Sequence, residues 1–136
     1  MDLETQALSW LTFTSGLNGE PGVWDEHAHL SPLHDAFSWM SSTPYGTEAT
    51  DDYGQWLRTE LWLMDLDGSN QRRITFFNET EQVIVADNDW NPAATEKPQL
   101  VVTMFMRDRN ETHIKIIEFS VRSPQYEVYL PLVVKG

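Results

Sequence analysis

The amino-acid sequence predicts an all-β chain assembled from repeated four-stranded antiparallel units. Three observations predict it: a phrase that recurs at a fixed offset, apolar runs of strand length separated by turn chemistry, and no stretch with helical periodicity. The opening "MDLETQALSWLTFT" returns as "MDLDGSNQRRITFF", so that Met1, Asp2, Leu3, Thr12 and Phe13 fall in register with Met64, Asp65, Leu66, Thr75 and Phe76. Self-similarity at one period marks a chain that stacks a supersecondary unit rather than folding around a unique core.

Each element follows from local chemistry. In "TELWLMDLDGSNQRRITFF", Glu60 to Asp65 reads as an apolar-rich strand, "DGSN" as a turn with Gly68 supplying the positive φ, and Gln71 to Phe76 as the returning strand. The opening phrase gives a turn at "ETQA" and a strand from Leu8 to Phe13. A second echo sets "DEHAHLSP" (Asp25 to Pro32) against "VADNDWNP" (Val85 to Pro92), matching Leu30, Ser31 and Pro32 with Trp90, Asn91 and Pro92. Each copy is followed by an apolar run, "AFSWMS" from Ala36 to Ser41 and "QLVVTMFM" from Gln99 to Met106, whose β-branched and aromatic content suits a buried strand. A third, degenerate copy runs through His113 to Phe119, a Ser-Pro turn, and a last strand from about Tyr126 to Val134. Four-stranded meanders repeating at roughly 40 to 60 residues are the pattern of β-propeller blades.

The boundaries follow: residues 1–14 end a preceding blade, 15–77 form a blade with a long inserted loop at 41–58, and 78–136 form a final blade and a C-terminal strand. About two blades and part of a third make an incomplete ring, since propellers close with about four to eight. The expectation is the C-terminal fragment of a longer propeller read from an internal methionine. The alternatives are copies that associate, a trimer giving six blades, or a two-sheet sandwich that imitates blades.

Composition limits the partners. The 136 residues are 40% hydrophobic and 12% aromatic, which argues against disorder. Nine basic against 21 acidic residues, net −12, with no clustered basic patch, argue against a nucleic acid partner. No apolar run reaches the about 18 residues of a membrane span, so no membrane insertion is expected. The absence of cysteine excludes disulfides and thiolate metal sites and leaves the compartment open.

The segment "ELWLMDLDGSNQRRIT" resembles the hairpin of the TolB-like, WD40-like (PD40) β-propeller repeat, and "DEHAHLSP" and "DNDWNP" resemble the aromatic-Ser-Pro segment that opens such repeats. The resemblance runs from Met1 to about Phe119. It departs after each proline, where the repeat has Asp-Gly and this chain has Leu33-His34-Asp35 and Ala93-Ala94-Thr95. It implies a non-catalytic scaffold or binding module that offers one face to a protein partner, in a bacterial periplasmic or secreted setting. The closing "YLPLVVKG" lies outside the repeat and looks like an ending found in secreted bacterial proteins.

Chemistry concentrates in two places. In a strand, His27 and His29 lie two apart on one face with backbones about 6.5 Å apart. Their counterparts sixty residues on are Asp87 and Asp89, and on propeller first strands all four would line the channel mouth, with Asp25 and Glu26 adding carboxylates. Imidazole with carboxylate is a donor set for a divalent transition metal, and some lyases of this architecture use channel histidines so. The competing reading is a solvated, hydrogen-bonded mouth with no cofactor. The enzyme alternative, a metal-assisted lyase or a peptidase-associated propeller, needs those histidines as ligands or a catalytic domain elsewhere.

The second place is the loop "SSTPYGTEATDDYGQWLR", where Tyr45, Asp51, Asp52, Tyr53 and Trp56 form a candidate ligand- or partner-binding set. Its aromatics equally suit packing on a blade edge, as Trp10, Trp24, Trp39, Trp62 and Trp90 suit packing between blades. "DLDGSN" places its glycine fourth, where a calcium-binding EF-hand loop needs it sixth, so it reads as a hairpin turn. No glycine-flanked nucleophile elbow is present, so hydrolase catalytic residues are not expected. The sequons at Asn78 and Asn110 matter only in a glycosylating host.

Overall fold

The computed structural model describes residues 11–12, 23–45, 57–80 and 82–119. These form an all-β arrangement of two antiparallel sheets. The first is a four-stranded meander of β1 (Asp25–Leu30), β2 (Ala36–Ser41), β3 (Glu60–Asp65) and β4 (Arg72–Arg73). The second has three strands in the order β5 (Val83–Trp90), β6 (Gln99–Met106) and β7 (Glu111–Glu118). Helix is confined, among the described residues, to two single 3₁₀ turns, Thr43–Tyr45 and Phe77–Glu79.

The two echoed segments fold alike. Ser31 N–H donates to Ala36 O and Ser31 O accepts from His34 N–H; Asn91 N–H donates to Gln99 O and Asn91 O accepts from Ala94 N–H. Side chains reinforce both turns in the manner of Ser and Asn residues that bond the backbone just ahead, Ser31 Oγ accepting from Asp35 N–H and Asn91 Oδ1 from Ala93 N–H. Registers are thereby set, with Leu30 opposite Phe37 and Trp90 opposite Leu100.

The period of two buries one side of each sheet against the other. Met40, Leu61, Leu63 and Ile74 from the first sheet meet Val83, Val85, Leu100, Val102, Met104, Met106 and Ile117 from the second in one core. Each such side chain contributes about 1.5–3 kcal/mol by leaving water. Trp90 joins this core and stacks at a tilt on Phe119, centroids 5.4 Å apart. Trp39 and Trp62, opposite one another on β2 and β3, pair instead with each other at 5.9 Å.

Three strand expectations need correction. The strand expected over Gln71 to Phe76 is paired only at Arg72–Arg73. Ile74 N–H still reaches Leu61 O, but Leu61 N–H donates to the Thr75 hydroxyl rather than to a carbonyl, and the chain turns away into Phe77–Glu79. The strand expected from His113 begins at Glu111, because the turn ends at Asn110, whose φ of 54° reverses the chain one residue before it. Of the strand expected over Leu8 to Phe13, Leu11 and Thr12 are described and are not strand; the rest, with Trp10 and the strand from Tyr126 to Val134, lies outside the described residues. No helix among the described residues is long and apolar enough to cross a membrane.

Candidate functional site

The site is built where β1 of the first sheet runs beside β5 of the second. Neither strand is regular there. Glu26 lies opposite Met40 and His29 opposite Ser38, so His27 and Ala28 share one partner position, and His27 takes a φ of 53°. This is a β-bulge with its residue in the left-handed region, a device that re-aims a side chain at the cost of local strain. β5 carries a matching irregularity between Val85 and Asp87. The expectation of two histidines on one face of a regular strand is therefore corrected in its means: the bulge, not simple alternation, presents both rings.

Side chains from β5 pin the backbone of both histidines. Asn88, 1% exposed, donates through Nδ2 to His27 O at 2.9 Å and accepts from Ser38 Oγ at 2.6 Å. The Trp90 indole donates to His29 O at 3.2 Å. The carbonyls of both histidines thus take donors from the neighbouring sheet, and the rings are carried on a braced backbone.

Above that brace the four residues related by the sixty-residue offset meet. His27 Nδ1 stands 3.3 Å and His29 Nε2 4.0 Å from Asp87 Oδ1. The remaining ring nitrogens each face a different carboxylate, His27 Nε2 at 3.4 Å from Glu26 Oε2 and His29 Nδ1 at 3.7 Å from Asp89 Oδ1. These separations exceed the usual hydrogen-bond range of about 2.7–3.2 Å. Asp87 itself is oriented by Asn88 N–H, which donates to Oδ1 at 2.8 Å. One donor atom from each of His27, His29 and Asp87 lies within 4.8 Å of the others. The side chains are about 36–56% exposed, so the cluster opens to solvent.

The loop candidates divide. Asp51, Asp52, Tyr53 and Trp56 lie outside the described residues. Tyr45 is half-buried, and its hydroxyl donates to Glu60 Oε1 at 3.0 Å while accepting from Arg73 Nη1 at 3.3 Å. Burial, and then the negative charge and hydrogen bond of Glu60, push the Tyr45 phenol up to about 12, with Arg73 opposing.

Glu60 is the residue that sequence reasoning missed. It is wholly buried, yet both oxygens are satisfied: Oε1 by Tyr45 OH and Asn78 N–H, and Oε2 by Thr75 OH and Phe77 N–H. The signal was present, since Glu60 is in phase with Trp62 and Met64 on one face of β3. The "DLDGSN" oxygens are spent on the turn: Asp65 Oδ2 accepts from Asn70 Nδ2, and Asp67 Oδ1 from Ser69 N–H; hydrogen bonding from the Ser69 side chain, and then from that N–H, holds the Asp67 carboxyl below its ordinary range.

Comparison with protein-family models, curated proteins and solved structures yields no match.

Proposed function

We propose that the two sheets are consecutive blades of a TolB-like propeller and that the chain serves as a non-catalytic binding module whose contact face is the acidic end of β1 and β5. The observation that carries this reading is the side-by-side placement of the two first strands, with Asn88 and Trp90 of β5 bonded to the carbonyls of His27 and His29 of β1. Inner strands of neighbouring blades stand in that relation. Glu26, Asp87 and Asp89 give this face a negative potential that favours a protein partner presenting basic side chains.

Two measurements test it. Light scattering on a size-exclusion column reads ring completion: a species near three times 15.7 kDa supports a ring assembled from copies, and a monomer with one cooperative unfolding transition counts against it. Anisotropy of a labelled hexa-arginine peptide reads the face. Neutralising Glu26→Gln, Asp87→Asn and Asp89→Asn together should weaken binding several-fold more than the control set Asp108→Asn, Glu111→Gln and Glu118→Gln. Equal losses would mean that overall charge, not this face, attracts the peptide. The enzyme alternative, a metal-assisted lyase, draws on the same His27, His29 and Asp87 and would need turnover that disappears with them.

A further inference from the structure

The geometry points to a divalent transition-metal site, of the zinc and cobalt class, held by His27, His29 and Asp87 with one or more positions open to solvent. The inference goes beyond the binding-module reading and needs only the juxtaposition of β1 and β5 in one chain, not a closed ring.

Four observations converge on it. The donor set is two imidazole nitrogens and one carboxylate oxygen, which suits borderline divalent ions and not magnesium or calcium, whose sites are built of oxygen. Bonds of about 2.1 Å at tetrahedral angles place donors about 3.4 Å apart. The pair His27 Nδ1 and Asp87 Oδ1 stands at 3.3 Å, His29 Nε2 needs to close by about 0.6 Å from its 4.0 Å, and the three donor atoms, which lie within 4.8 Å of one another, draw together as the two rings turn inward. Exposed side chains on a braced backbone allow that closure.

The second observation is what lies behind each ring. Metal-bound histidines almost always have the second nitrogen facing a carboxylate or carbonyl, which fixes the tautomer and raises ligand basicity. Here Glu26 stands behind His27 and Asp89 behind His29, each on the nitrogen that does not face Asp87. The carboxylates are sorted as a metal site needs them, one between the rings and one behind each.

The third is the bulge. A non-glycine residue at positive φ is uncommon, and His27 adopts 53° at the position that brings its Nδ1 to Asp87. The fourth is the bracing by buried Asn88 and by Trp90, which holds the carbonyls of both proposed ligands and so limits what the rings lose on binding.

The test uses the whole chain, stripped with a chelator and titrated with zinc by calorimetry and with cobalt(II) by visible absorption. One equivalent should bind, with cobalt bands characteristic of nitrogen and oxygen ligands. The double variant His27→Asn and His29→Gln, in which asparagine suits the left-handed backbone, should lose binding by at least about 100-fold while melting like the parent in chelator. Glu26→Gln and Asp89→Asn should each weaken zinc by about 10- to 100-fold without abolishing it. His113→Gln, which removes a lone histidine paired with Glu111, should bind as the parent does. Absence of heat and of cobalt bands at millimolar metal overturns the site, as does undiminished binding by the folded double variant. Light scattering on the same samples keeps this outcome separate from the ring, since a monomer that binds one zinc upholds the site while failing the assembly.

Discussion

Replacing Glu60 by Gln tests whether one buried carboxylate organises the end of the first sheet. The variant keeps the shape of the side chain but exchanges one acceptor oxygen for an NH₂. If the NH₂ faces the Oε2 side, Thr75 can rotate to accept from it, but Phe77 N–H, now 3.1 Å from an acceptor, would face a donor. If it faces the Oε1 side, Tyr45 can rotate, but Asn78 N–H, now at 2.8 Å, would face a donor. Either way one backbone N–H goes unsatisfied, at about 1–3 kcal/mol. The surviving bonds also lose charge assistance, which roughly halves them. Relief from burying a charge offsets part of this, leaving a net loss of about 2 kcal/mol.

Urea denaturation followed by tryptophan fluorescence reads that loss. With a slope of about 2 kcal/mol per molar, the midpoint should fall by about 1 M. Tyr45→Phe removes a single donor and leaves Oε1 bonded to Asn78 N–H, so it should cost about 1 kcal/mol. A Glu60→Gln midpoint within about 0.2 M of the parent would refute the reasoning. A larger cost for Tyr45→Phe than for Glu60→Gln would do the same, because it would place the organising role in the phenol.

Three further outcomes are expected. In alkaline titration at the phenolate absorption band, one of the four tyrosines should ionise late, near the pH of about 12 to which Tyr45 is raised. Since folding raises that phenol, its stabilising contribution is whole below the ordinary value of 10.0 and is lost as pH climbs through the folded one, so Tyr45→Phe should flatten the loss of stability over that window. Asn88→Ala removes the donor to the His27 carbonyl and the near acceptor of buried Ser38 Oγ, which keeps only its 3.4 Å contact with His29 O, and should cost about 1–3 kcal/mol, read as a fall in melting temperature; an unchanged melt would mean that β1 is not braced by β5. Gly68→Ala forces a β-carbon onto a φ of 84° and within 3.2 Å of Leu11 O, and should cost about 1–2 kcal/mol in the same melt, whereas Asn70→Ala at φ 54° should cost less because that position already carries a β-carbon and loses only an exposed hydrogen bond to Asp65.

The sequence disclosed what depends on pattern and concealed what depends on side-chain substitution for backbone. Strands β2, β3 and β6 were legible to the residue because apolar content and flanking turns coincide there. The paired echoes located two turns of the same construction. The end of β4 was not legible, since the Thr75 hydroxyl takes the place of a ladder carbonyl and no period reveals that. Glu111 and Thr112 escaped because both side chains are exposed, and a strand open to solvent there accepts polar residues on either face. At the site, the offset that set His27 and His29 against Asp87 and Asp89 identified the neighbours, and Glu26 was read as a carboxylate beside them, but the bulge at His27 was not legible. A bulge adds one residue without changing composition, so it leaves no mark that a reading of alternation can detect.

That offset also explains why the site is chemically asymmetric. Where two sheets open with turns of the same construction and set their first strands side by side, positions at the same offset face each other. Identical carboxylates at both would repel, and identical imidazoles would offer one another no counter-charge. Histidine in one copy and aspartate in the other turn the same geometry into complementary pairs, His27 with Asp87 and His29 with Asp89. The shared architecture supplies the placement, through matching irregularities in β1 and β5 and through donors from one strand to carbonyls of the other. The difference between four side chains supplies the chemistry. A mixed nitrogen and oxygen donor set then arises at the junction of two units, where neither unit alone holds more than one kind of ligand.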